Sequence, residues 1–172
     1  MIDAKYYYSL YLLLVTILTL FAANNYANKR ITDNRTYLSK WIDGKALLLS
    51  LFLAIFIGFR PISARYFCDM ANYEFVYNYS KNLPFQYDPS AENIIWDNLF
   101  NWWASIDLGV SEFFFLIAFI YFVCTFVACA KFFGKDQYVA FLVFLGSFST
   151  FSYATNGIKA GIAAAIFLLG LS

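Results

Sequence analysis

The chain has 172 residues, of which 62% are hydrophobic and 13% charged, against about 45–50% and 25% in an ordinary soluble domain. One soluble core of this size has no room for so much apolar surface, with 21 Phe and 14 Tyr, so lipid is expected as a second solvent. A net charge of +1 gives no electrostatic footprint for nucleic acid, and the absence of His removes the commonest general base and metal ligand.

Read in chain order, the sequence predicts an all-α, polytopic transmembrane bundle of about five helices forming a single domain. The first uncharged run is Tyr6 to Ala23, too aromatic and too poor in cations at its start for a cleavable signal peptide. The second, Ala46 to Phe59, has fourteen residues between Lys45 and Arg60. It spans if the flanking cations snorkel or the helix continues. The third is Phe113 to Ala130. A short polar break, Lys131 to Gln137, leads to the fourth, Tyr138 to Tyr153. The fifth starts near Gly157 and is still apolar at Ser172, the pattern expected of the front part of a longer protein.

Cation bias sets the expected orientation. Asn24 to Lys45 carries Lys29, Arg30, Arg35, Lys40 and Lys45 against Asp33 and Asp43, and Lys131 and Lys135 follow the third run. Both segments are assigned to the cytoplasm. The 53 residues from Arg60 to Glu112 hold three cations and seven acids, which assigns them, and the N-terminus, to the outside. Within this outer segment Tyr66, Met70, Tyr73 and Tyr77, and then Ile95, Leu99, Trp102 or Trp103, and Ile106, recur at helical spacing. They predict two amphipathic helices, lying on the outer leaflet or folded over the bundle, with Ser90 placed to cap the second.

Chemistry-bearing residues gather at the outer ends of the runs. Arg65, Asp69 and Tyr73 fall at four-residue steps and would share a helix face, with Arg60 just upstream. An arginine fork suits a diphosphate, and the alternative is an exposed ion pair with a snorkelling helix-end Arg. Glu112 opens the third run, either as a partly buried base for a hydroxyl or as an interfacial carboxylate in water. Lys159 sits in a stripe of small residues, Gly157, Gly161 and Ala165, either held at a helix contact or reaching back to the interface. Trp96, Trp102 and Trp103 read as an interfacial aromatic belt before a sugar-stacking platform. Cys68, Cys124 and Cys129 have neither zinc spacing nor a disulfide framework and read as buried or lipid-facing thiols.

Gly58-Phe59-Arg60 followed by Asp69 and Asn72-Tyr73, then Ser105 to Glu112, then Thr155-Asn156-Gly157-Ile158-Lys159-Ala160-Gly161-Ile162-Ala163, resemble in order three landmarks of EpsG-type proteins. These belong with the Wzy-like bacterial exopolysaccharide and O-antigen polymerases. Lys159 and Ala160 stand where that family usually has Arg and Gln, and Phe67-Cys68 where it has a small Gly before the Asp. The resemblance implies polymerisation of lipid-linked oligosaccharide repeat units at the outer face of the bacterial inner membrane, in exopolysaccharide, capsule or O-antigen synthesis. Its substrate would be a polyprenyl-diphosphate-linked oligosaccharide, and its partners membrane lipid and other polysaccharide assembly proteins, with no metal or other cofactor. Arg60, Arg65 and Lys159 would hold the diphosphate, with Tyr73 beside them, and Asp69 or Glu112 would orient or deprotonate the acceptor hydroxyl. Two other classes compete. A flippase of lipid-linked sugars should show helix breaks at membrane depth, and none is expected from the runs. A non-catalytic scaffold would need no charges at the helix mouths.

Overall fold

The computed structural model describes residues 2–29 and 43–172, and every regular element among them is helical. Arg30, Arg35 and Lys40, which carry much of the orientation argument, lie outside the described residues.

A 3₁₀ turn, Ala4–Tyr6, leads into α1, Tyr7–Lys29. Asp3 starts it, its carboxylate accepting from Lys5 N at 3.1 Å. α1 buries one stripe, Tyr7, Tyr11 and Val15, at four-residue steps and leaves most of its surface open. α2, Gly44–Gly58, is capped by Asp43, whose side chain accepts from Lys45 N and Ala46 N. Its fifteen residues reach about 22 Å, short of a hydrocarbon core of about 30 Å.

The longest helix, α5, Val110–Phe133, is the axis of the bundle. α2 runs antiparallel along it. The contact is closest at Gly58, where a Cβ would lie 2.5 Å from Phe115 Cα. The Phe59 and Phe115 rings stack beside it at 4.9 Å. At the far end Gly134 adopts φ +50°, a left-handed conformation that reverses the chain. α6, Gln137–Leu145, then returns along α5, with Phe141 5.8 Å from Phe126 and Phe144 6.3 Å from Tyr121. In one straight helix Phe126 and Phe141 would stand about 22 Å apart. The apolar stretch Val110–Leu145 is therefore a hairpin. Gln137 closes its foot: its Oε1 accepts from Asp43 N at 2.9 Å and its Nε2 donates to Gly134 O.

The fourth apolar run is not the single helix expected over 138–153. It breaks at Gly146–Ser147 into α6 and α7, Phe148–Thr155. A second break at Asn156–Gly157 bends the chain by 118° into α8, Ile158–Leu171, which packs back on α5. The carbonyls freed at the first break are recovered by side chains. Tyr11 OH donates to Leu145 O and Thr150 Oγ1 to Phe144 O, both at 2.6 Å, while Tyr121 OH reaches Thr150 O within α7 at 3.4 Å. Helix-by-helix spanning is thus coarser than the five runs imply. Ala4–Asn25 and the α5 arm of the Val110–Leu145 hairpin are long and apolar enough to cross a membrane, and the bent α7–α8 pair makes a third candidate.

The segment between α2 and α5 folds over the bundle. α3, Cys68–Ser80, and α4, Ile94–Ser105, pack together on the first turn of α5 through rings. Tyr73 lies 6.4 Å from Phe114, and Phe113 lies 5.5 Å from Trp96 and 5.0 Å from Phe100. One local expectation fails here. Ser90 does not cap α4, because its N–H and hydroxyl turn back to Asp88 Oδ1. Asp97 instead accepts from Asn93 N at the true start of α4. The stripe Ile95, Leu99, Trp102 and Ile106 faces outward, and α4 buries Trp96, Phe100 and Ala104.

Gly58→Ala should lower the unfolding free energy in detergent by about 1–3 kcal/mol, because the added methyl meets backbone rather than a yielding side chain. Gly170→Ala, with nothing within 4 Å of the new Cβ, should be neutral or stabilising by less than about 1 kcal/mol. Equal thermal midpoints for the two variants would rule out the close α2–α5 contact.

Candidate functional site

Arg60 follows α2 directly, and the fold closes over it until 3% of its surface is exposed. Its Nη1 donates to Ile57 O and its Nη2 to Thr155 O, both at 2.6 Å. The guanidinium lies 5.1 Å from the Phe67 ring centroid. No carboxylate lies within 4 Å of it among the described residues, and its Nε is buried without a partner. Burial pulls its pKa down to about 9, so at neutral pH it is still a cation. Arg60 therefore ties the end of α2 to the end of α7, 95 positions along the chain. In this conformation its fork is spent on backbone carbonyls, and it clamps the break rather than presenting two donors to a ligand.

Thr155 and Asn156 form the other side of that clamp. Thr155 is buried, with its own hydroxyl turned back to Phe151 O. The side-chain oxygen of Asn156 is buried with no hydrogen-bond donor. Lys159 follows in the first turn of α8, half-buried, at the end where Gly161 packs against Tyr153 O. Lys159 thus lies four residues along the chain from the residue Arg60 holds, across the bend.

The remaining candidates divide into separate places. Arg65 is not on the α3 face with Asp69 and Tyr73. It lies in the turn Ala64–Tyr66 before α3 begins, exposed, with its guanidinium 5.6 Å from the Tyr66 ring centroid. The Arg65–Asp69 pair does not form within 4 Å. Pro61 and the turn consume the residues that a longer α3 would have needed. Asp69 stands in the first turn of α3, where a carboxylate complements the helix dipole. Tyr73 is wedged between Trp96 and Phe100, 5.6 Å from each. Its hydroxyl is pushed up to about 12 by burial and then by the charges of Asp69 and Asp97. It stays protonated at neutral pH and is fit to donate. One turn further on, Tyr77 is raised by burial and by Asp107 and Glu112.

Glu112 occupies the third position of α5, exposed, its carboxylate folded back where a Cβ on Gly109 would stand. The site it occupies is that of an N-terminal capping carboxylate. Trp103 Nε1 donates to Gly109 O at 3.0 Å from the other side, so Trp103 is a structural anchor rather than an open platform. Of the three thiols, Cys129 is buried, Cys124 half-buried and Cys68 exposed at the start of α3.

The structure thus joins Arg60 to the segment leading to Lys159, groups Asp69 with Tyr73 and Asp97, and places Glu112 near Tyr77 and Asp107. Thr155, Asn156 and Phe67 belong to the site and carry no signal of their own in the sequence. Only the adjacency of Thr155-Asn156 to a glycine hinted at a helix break. Among the described residues no group of three or more acids and cysteines is placed to hold a metal. No family model matches the chain, and no curated protein or solved structure shows significant similarity to it.

Replacing Arg60 with Gln should cost about 2–4 kcal/mol, since two charge-assisted hydrogen bonds go and buried carbonyls are left open. Backbone exchange at Asn156 and Gly157 should rise with it. A variant whose unfolding and exchange match the parent protein would show that Arg60 is not the clamp.

Proposed function

We propose that this chain takes part in polymerising lipid-linked oligosaccharide repeat units in bacterial exopolysaccharide, capsule or O-antigen synthesis, as a Wzy-like, EpsG-type membrane protein. The observation that carries the reading is the Arg60–Thr155 hydrogen bond. It brings the Gly58-Phe59-Arg60 landmark against the Thr155–Ala163 landmark, two segments that the sequence resemblance picked out independently. In the reaction an acceptor sugar hydroxyl attacks the anomeric carbon of the growing glycan. The bond to polyprenyl diphosphate breaks, and the hydroxyl proton passes to a carboxylate. Arg60 keeps a positive charge and a fixed backbone at the break, while the freer cations Arg65 and Lys159 are the ones able to meet the diphosphate. Asp69 or Glu112 takes the proton, and Tyr73 donates a hydrogen bond. Catalysis of this kind needs no metal. The setting is the bacterial inner membrane, with residues 60–112 and the N-terminus outside, membrane lipid around the bundle and other assembly proteins beside it.

A flippase of lipid-linked sugars is the second reading, favoured by the helix break at Gly146–Ser147, inside a run where none was expected, and by the bend at Asn156–Gly157. Accumulated intermediates separate the two. With alanine at Arg60, Asp69 and Glu112, lipid-linked repeat units should build up on the outer face and polymer yield should fall at least about tenfold, the effect expected for lost acid–base chemistry. Build-up on the inner face would favour the flippase, and unchanged polymer length and yield would end the polymerase reading.

Exposed Cys68 tests the orientation. A membrane-impermeant maleimide should label it from outside intact cells and leave Cys124 and Cys129 unmodified. Labelling only after the membrane is opened would invert the proposed topology.

A further inference from the structure

Between the end of α3, the side of α4 and the loop joining them, the cap holds a cleft of about 390 Å³. That is the low end of the roughly 300–1,000 Å³ of small-molecule sites. Tyr79 and Phe85 give it aromatic surface, and Ser80, Gln86 and Asn101 give it polar groups. The loop is braced at both ends. Leu83 N–H donates to Ser80 O at 2.9 Å, and the ring of Pro84 fixes the next backbone angle. At the far end Asn98, 7% exposed, accepts from Asp88 N and donates to Asp88 O, both at 2.8 Å. A buried amide is thus spent on holding the stretch Pro84 to Asp88 against α4, which sets the cleft wall in advance of any ligand.

The polar groups inside the cleft are unspent. Ser80 Oγ reaches Asn101 Oδ1 only at 3.4 Å, beyond the usual range for a hydroxyl donor. Asn101 Nδ2 is not sealed from the surface and, like the exposed Gln86 amide, meets no protein partner among the described residues. Among the described residues no charged side chain lines the cleft, and Lys81, exposed beside Ser80, stands outside it. A charged ligand would therefore lose hydration here without a compensating partner. A free amide donates to one hydroxyl and accepts from the next, while an aromatic face takes apolar C–H surface. A sugar ring carries both surfaces in one molecule, hydroxyls around its edge and C–H groups on its face.

We infer that this cleft binds an uncharged sugar ring, laid against Tyr79 and Phe85 with its hydroxyls on the Gln86 and Asn101 amides. The site shares no residue with the Arg60 clamp. It rests on its own geometry and not on the polymerase reading, since it concerns recognition of a glycan and not the making of a bond.

The test is saturation-transfer NMR with titration on the full chain in nanodiscs, free of glycosidic detergent. The probes are maltotriose, lactose and chitotriose, with glucuronic acid and adenosine for comparison. At least one neutral sugar should saturate with a Kd on the order of 1 mM, as expected of a few hydrogen bonds and one stacked ring, and the affinity should not change with salt. Tyr79→Ala should weaken it about tenfold, and Gln86→Leu about fivefold, the effect of one lost hydrogen bond. Lys81→Gln, outside the cleft, should leave it unchanged. Any of three results would overturn the inference: no saturable binding of the three sugars, binding indifferent to both cleft variants, or adenosine or glucuronic acid bound more tightly than the sugars. Tyr79 and Gln86 are exposed, so their variants should keep the fold, which circular dichroism checks. Binding is read without turnover, so loss of this site and failure of the polymerase reading are separate results.

Discussion

A helix that breaks among apolar surroundings must find new donors for the carbonyls it releases, because lipid offers none. In this protein the last third of the described chain is shaped by that constraint. The breaks at Gly146–Ser147 and Asn156–Gly157 would leave carbonyls open. Tyr11 and Thr150 close the first, and Arg60 closes the second. Tyr11 and Arg60 come from distant parts of the chain, so satisfying the breaks also fixes how α1 sits against α6 and how the end of α2 sits against α7. Polar groups buried in this way specify one arrangement, since any slip strands several of them at once.

Arg60 shows how a residue's chemistry and its structural duty compete. A guanidinium with a free fork is a diphosphate ligand. One whose two terminal nitrogens are held by Ile57 O and Thr155 O is a clamp with a net charge. Having no carboxylate beside it among the described residues, it projects that charge onto the segment Thr155 to Lys159. A low-dielectric surrounding makes such a field matter more than it would in water. The charge stays available to an anionic ligand near the break even though the fork does not.

α3 and α4 form a cap with two apolar faces. One packs Tyr73, Trp96 and Phe100 onto Phe113 and Phe114. The other leaves Ile95 85% exposed, in line with Leu99, Trp102 and Ile106. Aromatic rings dominate the inner face, where T-shaped contacts add to simple burial. That packing also lifts the Tyr73 hydroxyl well above its usual range and keeps it a donor.

The sequence by itself determined the all-helical class, the presence of helices apolar enough to cross a membrane, the places where most apolar runs start and stop, and the location of the ionisable residues at run ends. These follow from composition and periodicity, which are properties of neighbours along the chain. It did not determine that Tyr138 to Tyr153 is two helices, since no charge or proline marks Gly146-Ser147 and only distant donors make the break tolerable. Nor did it determine which stripe of α4 is buried, because α4 is apolar on both sides and α5 decides between them. Arg65 left its expected helix face because the turn after Pro61 takes up the chain, and Arg60 became a clamp because Thr155, 95 residues away, lends it a carbonyl. Pairings between distant donors and acceptors have no local signature, and only the tertiary structure could settle them.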